Sequence, residues 1–192
     1  MLEVEGLVKS IPKRGSVVRT YSQAEIEAMY DLRALLEGHA ARKAALAISS
    51  RDIDRLEDVW RDMQDCIVGE RYSSADQAKR VRYLVERNND FHKIIINASQ
   101  NPLIETTIRG VVELPLVFKA FFWYSQQQLE RSNQHHKELM ATMRARNPNE
   151  AERVMVEHIN GAREVLLNKI RVDQVNGRRP EDETAFLTSV GR

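Results

Sequence analysis

Three histidines fall on the apolar stripes of three separate predicted helices, and they are the residues of this sequence best placed to do chemistry. His92, His136 and His158 each recur at helical spacing with aliphatic side chains, so each imidazole is predicted to face the interior. A buried imidazole must find a polar partner. If the three rings converge, one divalent ion would satisfy them together, because three imidazoles with an open position suit Zn²⁺.

A fourth ligand and two further histidines complete this hypothesis. Asn88 lies one turn before His92 on the same face, so its amide oxygen is a candidate weaker ligand. His39 and His135 are expected at the surface or next to the ligands rather than among them. The alternative is that each inward histidine is separately hydrogen-bonded, because helix phase does not establish convergence. Neither Glu-x-x-His at these positions nor His-Glu-x-x-His occurs, which weighs against a di-iron bundle and a metalloprotease.

Arg33 is an inward-facing charge that needs an anion. It shares a helical stripe with Tyr30 and Leu36, and a guanidinium does not deprotonate. Glu37, one turn further on, would satisfy it as an ion pair. Alternatively, Arg33 holds the carboxylate of a bound ligand. The aromatic residues between 118 and 124 are predicted to form core or a subunit interface.

The elements that must position these residues are predicted to be helices with short connections. Capping patterns and apolar stripes indicate six of them, near residues 22–49, 49–69, 73–98, 101 onward, 126–146 and 147–172. Pro115 is expected to kink or break the fourth helix. The predicted fold is therefore an all-α antiparallel bundle of about six helices, preceded by a short β-hairpin within residues 1–20. The bundle is assigned to residues 21–175, and residues 176–192 form a loose tail.

Composition narrows the function classes. The chain has 192 residues with eight glycines and five prolines, which fits long elements and few turns. A formal net charge of +1 gives no bulk attraction to nucleic acid or membrane. The single cysteine, Cys66, excludes a disulfide framework and a thiolate zinc cluster. No signal-peptide pattern occurs, and the most apolar window, 111–124, is too short to span a bilayer, so a cytoplasmic location without membrane contact is expected.

Several motifs resemble the FCD effector-binding domain of GntR-type bacterial transcription regulators of the FadR subfamily. Asn-Asp-Phe-His at 89–92, followed by Ala-Ser-Gln-Asn-Pro-Leu at 98–103, is similar to that family's signature. The segment at 30–37, the pair His135-His136 with Leu139, and the segment at 155–159 resemble its other helices. The resemblance covers about residues 22–170.

The resemblance implies a helical bundle that binds a divalent metal through one acidic residue and three histidines. Carried over, these are Asn88, His92, His136 and His158, with Asn88 standing where aspartate is typical. It implies zinc, with nickel or manganese as alternatives, and it places Arg33 near a small organic acid effector.

Residues 2–20 resemble the end of the recognition helix and the wing of the family's winged helix-turn-helix. Lys13 and Arg14 are predicted phosphate contacts. Because most of the recognition helix has no counterpart here, specific operator binding is expected of the intact regulator, as a homodimer, rather than of this chain.

The sequence thus predicts the effector-sensing part of a ligand-responsive transcription regulator and not an enzyme. A three-histidine metal enzyme is the first alternative. It is disfavoured because no acidic residue lies one turn from His136 or His158 on the same face. A metal-free helical interaction domain is the second alternative.

Overall fold

The computed structural model describes residues 8–11, 15–18, 21–69, 76–111 and 114–177. Within these ranges the architecture is an all-α bundle with one two-stranded antiparallel sheet. The elements, in chain order, are β1 (Val8–Ile11), β2 (Gly15–Val18), α1 (Gln23–Ala47), α2 (Ser50–Val68), α3 (Gln77–Ala98), α4 (Pro102–Val111), α5 (Leu114–Trp123), α6 (Gln126–Arg144) and α7 (Pro148–Val175).

Side-chain caps begin the helices where the sequence predicts them. Ser22 forms a full capping box with Glu25 at the start of α1. Ser49 caps α2 by accepting from the backbone N–H of Asp52. Asn147 caps α7, with Pro148 as the first helical residue. These local signals fix where the chain enters α1, α2 and α7.

The structure has seven helices within the described residues, in line with the predicted bundle of about six. The fourth predicted helix is broken into α4 and α5, which is the break expected at Pro115, and Pro115 lies in the first turn of α5. Proline is tolerated there because the first turn of a helix has no internal partner for its N–H. The predicted start of the third helix, at Ser73, lies outside the described residues.

The strands lie where the sequence predicts a short hairpin. β1 and β2 pair antiparallel, with Val8 opposite Val18 and Ile11 opposite Gly15. Lys13 and Arg14, the predicted phosphate contacts, lie outside the described residues, as does the predicted loose tail from residue 178 onward. Among the described helices, none has the length and apolarity that crossing a bilayer requires.

Among the described helices, α1 and α7 form the most extensive helix–helix contact. Small residues on α1 allow the two helices to approach closely. Ala41, Ala44 and Ala45 are fully buried in the main core. A Cβ added at Gly38 would lie 2.8 Å from Cγ2 of Val156 on α7, so glycine is required at this point. α3 and α6 complete the enclosure, and the inward faces of all four helices meet in one interior.

Candidate metal centre

The three predicted histidines lie together in that interior. His92 on α3, His136 on α6 and His158 on α7 each offer a ring nitrogen, and these nitrogens all lie within 4.8 Å of one another. The Nε2 atoms of His92 and His158 are 3.1 Å apart. The ring centroids of His136 and His158 are 4.4 Å apart. Helix phase predicted that each ring faces inward, and the structure adds that the three share one place.

The three rings are buried, and burial favours the neutral form of two of them. The exposed fraction of His92 and of His158 is 6%, and that of His136 is 1%. Burial lowers the pKa of both His136 and His158 well below its usual range, and the neighbouring imidazoles lower it further. Neutral imidazole is the form that binds a metal ion.

A carboxylate fixes which nitrogen of His92 faces the cluster. Oε2 of Glu37 on α1 lies 2.5 Å from Nδ1 of His92. Burial alone would raise the pKa of Glu37, but the charge of Arg33 and the bond to His92 outweigh it and hold the pKa at about 2. An ionised carboxylate only accepts hydrogen bonds, so Nδ1 of His92 donates and Nε2 points its lone pair at the other rings.

An amide plays the corresponding part for His136. Nδ1 of His136 lies 3.4 Å from Oδ1 of Asn133, one turn earlier on α6. The Asn133 amide group donates in turn to Oε1 of Gln64 on α2, at 2.7 Å, which fixes the amide orientation. Oδ1 of Asn133 therefore accepts from His136, and Nε2 of His136 is directed to the cluster.

Unpartnered atoms at the cluster fit a cation. Nε2 of His136 and Oδ1 of Asn88 are buried, and neither has a hydrogen-bond partner within the described ranges. Such groups are rare in folded proteins because each loses its hydration without compensation. Two nitrogens bound to one ion at about 2.1 Å lie roughly 3.0–3.4 Å apart, which matches the separation of the two Nε2 atoms. The donor set, three imidazoles and one amide oxygen, suits a borderline divalent ion.

A narrow cavity adjoins the cluster on the α5 side. Its empty space is about 270 Å³, part of it open to solvent. Its polar lining comes from Tyr30, Arg33, Asn88, Tyr124, Ser132 and His158. Two of the candidate metal ligands therefore face the same space as the guanidinium of Arg33.

Arg33 has the local partner that helical spacing predicts. Its Nε donates to Oε1 of Glu37 at 3.0 Å, and both side chains are buried. The guanidinium carbon also lies 4.9 Å from the ring centroid of Tyr30. Arg33 thus supports Glu37 while lining the cavity, so the two interpretations of this residue are compatible.

Other residues at the site were absent from the sequence prediction. Glu37 was considered only as a partner of Arg33, although positions 26, 30, 33 and 37 share one helical face. Asn133 is three residues before His136, a spacing that places both on one face. His39 is exposed, as predicted, whereas His135 is 6% exposed, with its ring centroid 6.0 Å from that of His158.

Comparison with known proteins gives consistent matches. The FCD domain model matches residues 28–161. The Nta operon transcriptional regulator of Aminobacter aminovorans is 24% identical over 170 residues, covering 88% of this chain and 75% of that protein. The E. coli McbR/YncC structure superposes with a TM-score of 0.69 at 15% identity, covering 88% of this chain and 80% of that one. Streptococcus agalactiae GntR gives a TM-score of 0.53 at 18% identity, with coverages of 85% and 77%.

Proposed function

Because this chain belongs to the FCD domain family, we propose that it is the effector-sensing part of a GntR-type, ligand-responsive transcription regulator of the FadR subfamily. The matched family and the regulators similar to this chain support a regulatory rather than an enzymatic role. We place the sensing function in residues 21–175 and assign residues 1–20 to a winged helix-turn-helix remnant. A cytoplasmic location accompanies this role.

The proposed cofactor is one divalent metal ion, zinc in the first instance, with nickel or manganese as alternatives. His92, His136 and His158 would hold it through ring nitrogens, and Asn88 through its amide oxygen. Glu37 and Asn133 orient two of these rings. A bound divalent ion supplies positive charge and an open position for a carboxylate oxygen.

The proposed effector is a small organic acid that enters the cavity beside the cluster. Arg33 faces this cavity and binds the carboxylate by charge-assisted hydrogen bonds, while its Nε remains on Glu37. The effector switches the regulator only if it binds one arrangement of a homodimer better than another. A homodimer matches two operator half-sites in the intact protein.

The observation that carries this proposal is the meeting of three buried ring nitrogens with an orphaned amide oxygen beside an arginine-lined cavity. Elemental analysis of protein purified without chelator should find about one equivalent of divalent metal. Calorimetry with a panel of small organic acids should show binding that is lost in Arg33→Ala and in His136→Ala. Unchanged affinity in both variants would remove the site assignment. Multiple turnover by the metal-loaded protein would favour an enzyme instead.

A further inference from the structure

The charges around the cluster leave a divalent ion without compensation. None of the four candidate ligands brings a negative charge: imidazole binds a metal ion as the neutral base, and the amide of Asn88 is uncharged. Glu37 is the carboxylate that contacts the cluster, and its charge is already matched by Arg33 at 3.0 Å. Among the described residues that line the cavity, Arg33 is the charged one, and it is positive.

A divalent ion bound at this position would therefore be buried with its charge of +2 uncompensated. Burying uncompensated charge is strongly unfavourable unless an opposite charge accompanies it. A single carboxylate would balance only half of that charge. The cavity beside the ion is polar, and the hydroxyl group of Tyr124, which accepts from Ser132, can donate a hydrogen bond to a second acidic group.

We propose that the effector of this protein is a dianion, in the simplest case a small dicarboxylate, and that the metal and the dianion bind with strong mutual coupling. The inference rests on the proposed function and specifies the class of its ligand. By thermodynamic linkage, a dianion that binds the metal-loaded form more tightly must also tighten metal binding by the same factor. A monocarboxylate of the same chain length tightens metal binding much less.

The test measures zinc affinity of the full chain by competition with a fluorescent indicator, at fixed pH and ionic strength. Zinc is titrated alone, with succinate, and with butyrate, which has the same four carbons and one charge fewer. Succinate should tighten zinc binding by about tenfold or more, within the usual range of coupling between sites. His136→Ala, which lacks one ligand, serves to correct for zinc bound by succinate in solution.

Position 88 provides the matched variants. Asn88→Asp adds one negative charge to the ligand set, so it should bind zinc more tightly without additive and lose most of the succinate effect. Asn88→Ala keeps the site neutral, so it should bind zinc more weakly and retain the preference for succinate over butyrate. Circular dichroism of each variant checks that the helical content is unchanged.

The outcomes separate this inference from the proposed function. Equal tightening by succinate and butyrate in the unmodified chain, or an undiminished succinate effect in Asn88→Asp, overturns the dianion inference and leaves the metal site standing. Failure of the unmodified chain to bind zinc under any of the three conditions overturns both. Zinc binding with a succinate effect that depends on the charge at position 88 supports the inference.

Discussion

The histidine cluster and the Arg33–Glu37 pair are adjacent buried polar regions that satisfy their hydrogen-bonding needs in opposite ways. The pair is contained in one helix: two opposite charges lie four residues apart on α1 and bind each other at 3.0 Å. The cluster is assembled from side chains of three different helices, α3, α6 and α7. His136 and His158 each keep a ring nitrogen without a partner among the described residues.

On the proposed function, the cluster is the region that needs a ligand. The ion pair finds its partner within α1, and Glu37 also holds Nδ1 of His92. In the cluster, Nε2 of His136 and Oδ1 of Asn88 are buried without a hydrogen-bond partner within the described ranges. A bound cation would therefore add stability through the cluster, whereas the pair is formed without one.

Breaking the pair should give the largest loss of stability. Glu37→Leu leaves the charge of Arg33 buried and unpaired, which should lower the free energy of unfolding by about 3–5 kcal/mol in urea titrations. The double variant Arg33→Met/Glu37→Leu removes both charges and should recover part of that loss, because Nδ1 of His92 still lacks its acceptor. A double variant as unstable as the single one would contradict the view that the pair is self-contained.

Binding of zinc to the histidine cluster should give the next largest change in the free energy of unfolding. Zinc at a free concentration one hundred times its dissociation constant should raise the free energy of unfolding by about 2.7 kcal/mol. Thermal unfolding with zinc and with chelator measures this difference. His136→Ala should abolish the response, whereas His39→Ala, on an exposed face of α1, should leave it unchanged.

Acid should destabilise the two regions in different pH windows. The pKa of His136 and of His158 is lowered from 6.5, so the stability they contribute is complete above pH 6.5 and is lost as the pH falls below it. The pKa of Glu37 is lowered from 4.5 to about 2, so its contribution is lost only as the pH falls from 4.5 towards 2.

Urea unfolding in the presence of chelator between pH 8 and pH 4 measures the histidine window, because most of the Glu37 window lies at lower pH. Stability should fall by up to about 1.4 kcal/mol per pH unit for each histidine below pH 6.5. His136→Gln/His158→Gln should flatten the slope between pH 6.5 and pH 5. A slope that survives in this variant would assign the acid sensitivity to other groups.

Removing one hydrogen bond that orients a candidate metal ligand should give the smallest effect, a change in zinc affinity. Asn133→Ala removes the acceptor of His136 Nδ1 and should weaken zinc binding by about tenfold, the lower end for residues that orient metal ligands. Gln134→Ala, at the exposed neighbouring position, should leave zinc affinity unchanged. An unchanged affinity in Asn133→Ala would show that packing alone orients the ring.

Local signals in the sequence predict the helices of this fold well, and they predict the faces of the site. Ser22, Ser49 and Asn147 cap helices because their side chains satisfy backbone N–H groups a few residues away, an interaction that spacing reveals. The sequence allowed either a kink or a break at Pro115, and only the structure shows that the helix breaks and that Pro115 lies in the first turn of α5.

Contacts between distant residues account for what could not be predicted. Glu37 and His92 are 55 positions apart, and nothing in either local sequence indicates that one binds the other. The Gln64–Asn133 bond, across 69 positions, is likewise a product of helix packing. His135 was expected at the surface or next to the ligands, and the packing of α6 on α7 decides for the second: it is buried, with its ring centroid 6.0 Å from that of His158.

Gly38 marks a point where α1 and α7 are in close contact. It sits next to Glu37 in the chain, and a single methyl group there would collide with Val156, two residues before His158. Because close-packed interiors transmit strain, a displacement of α7 near His158 would be felt by α1 at Gly38, one residue from the carboxylate that holds His92.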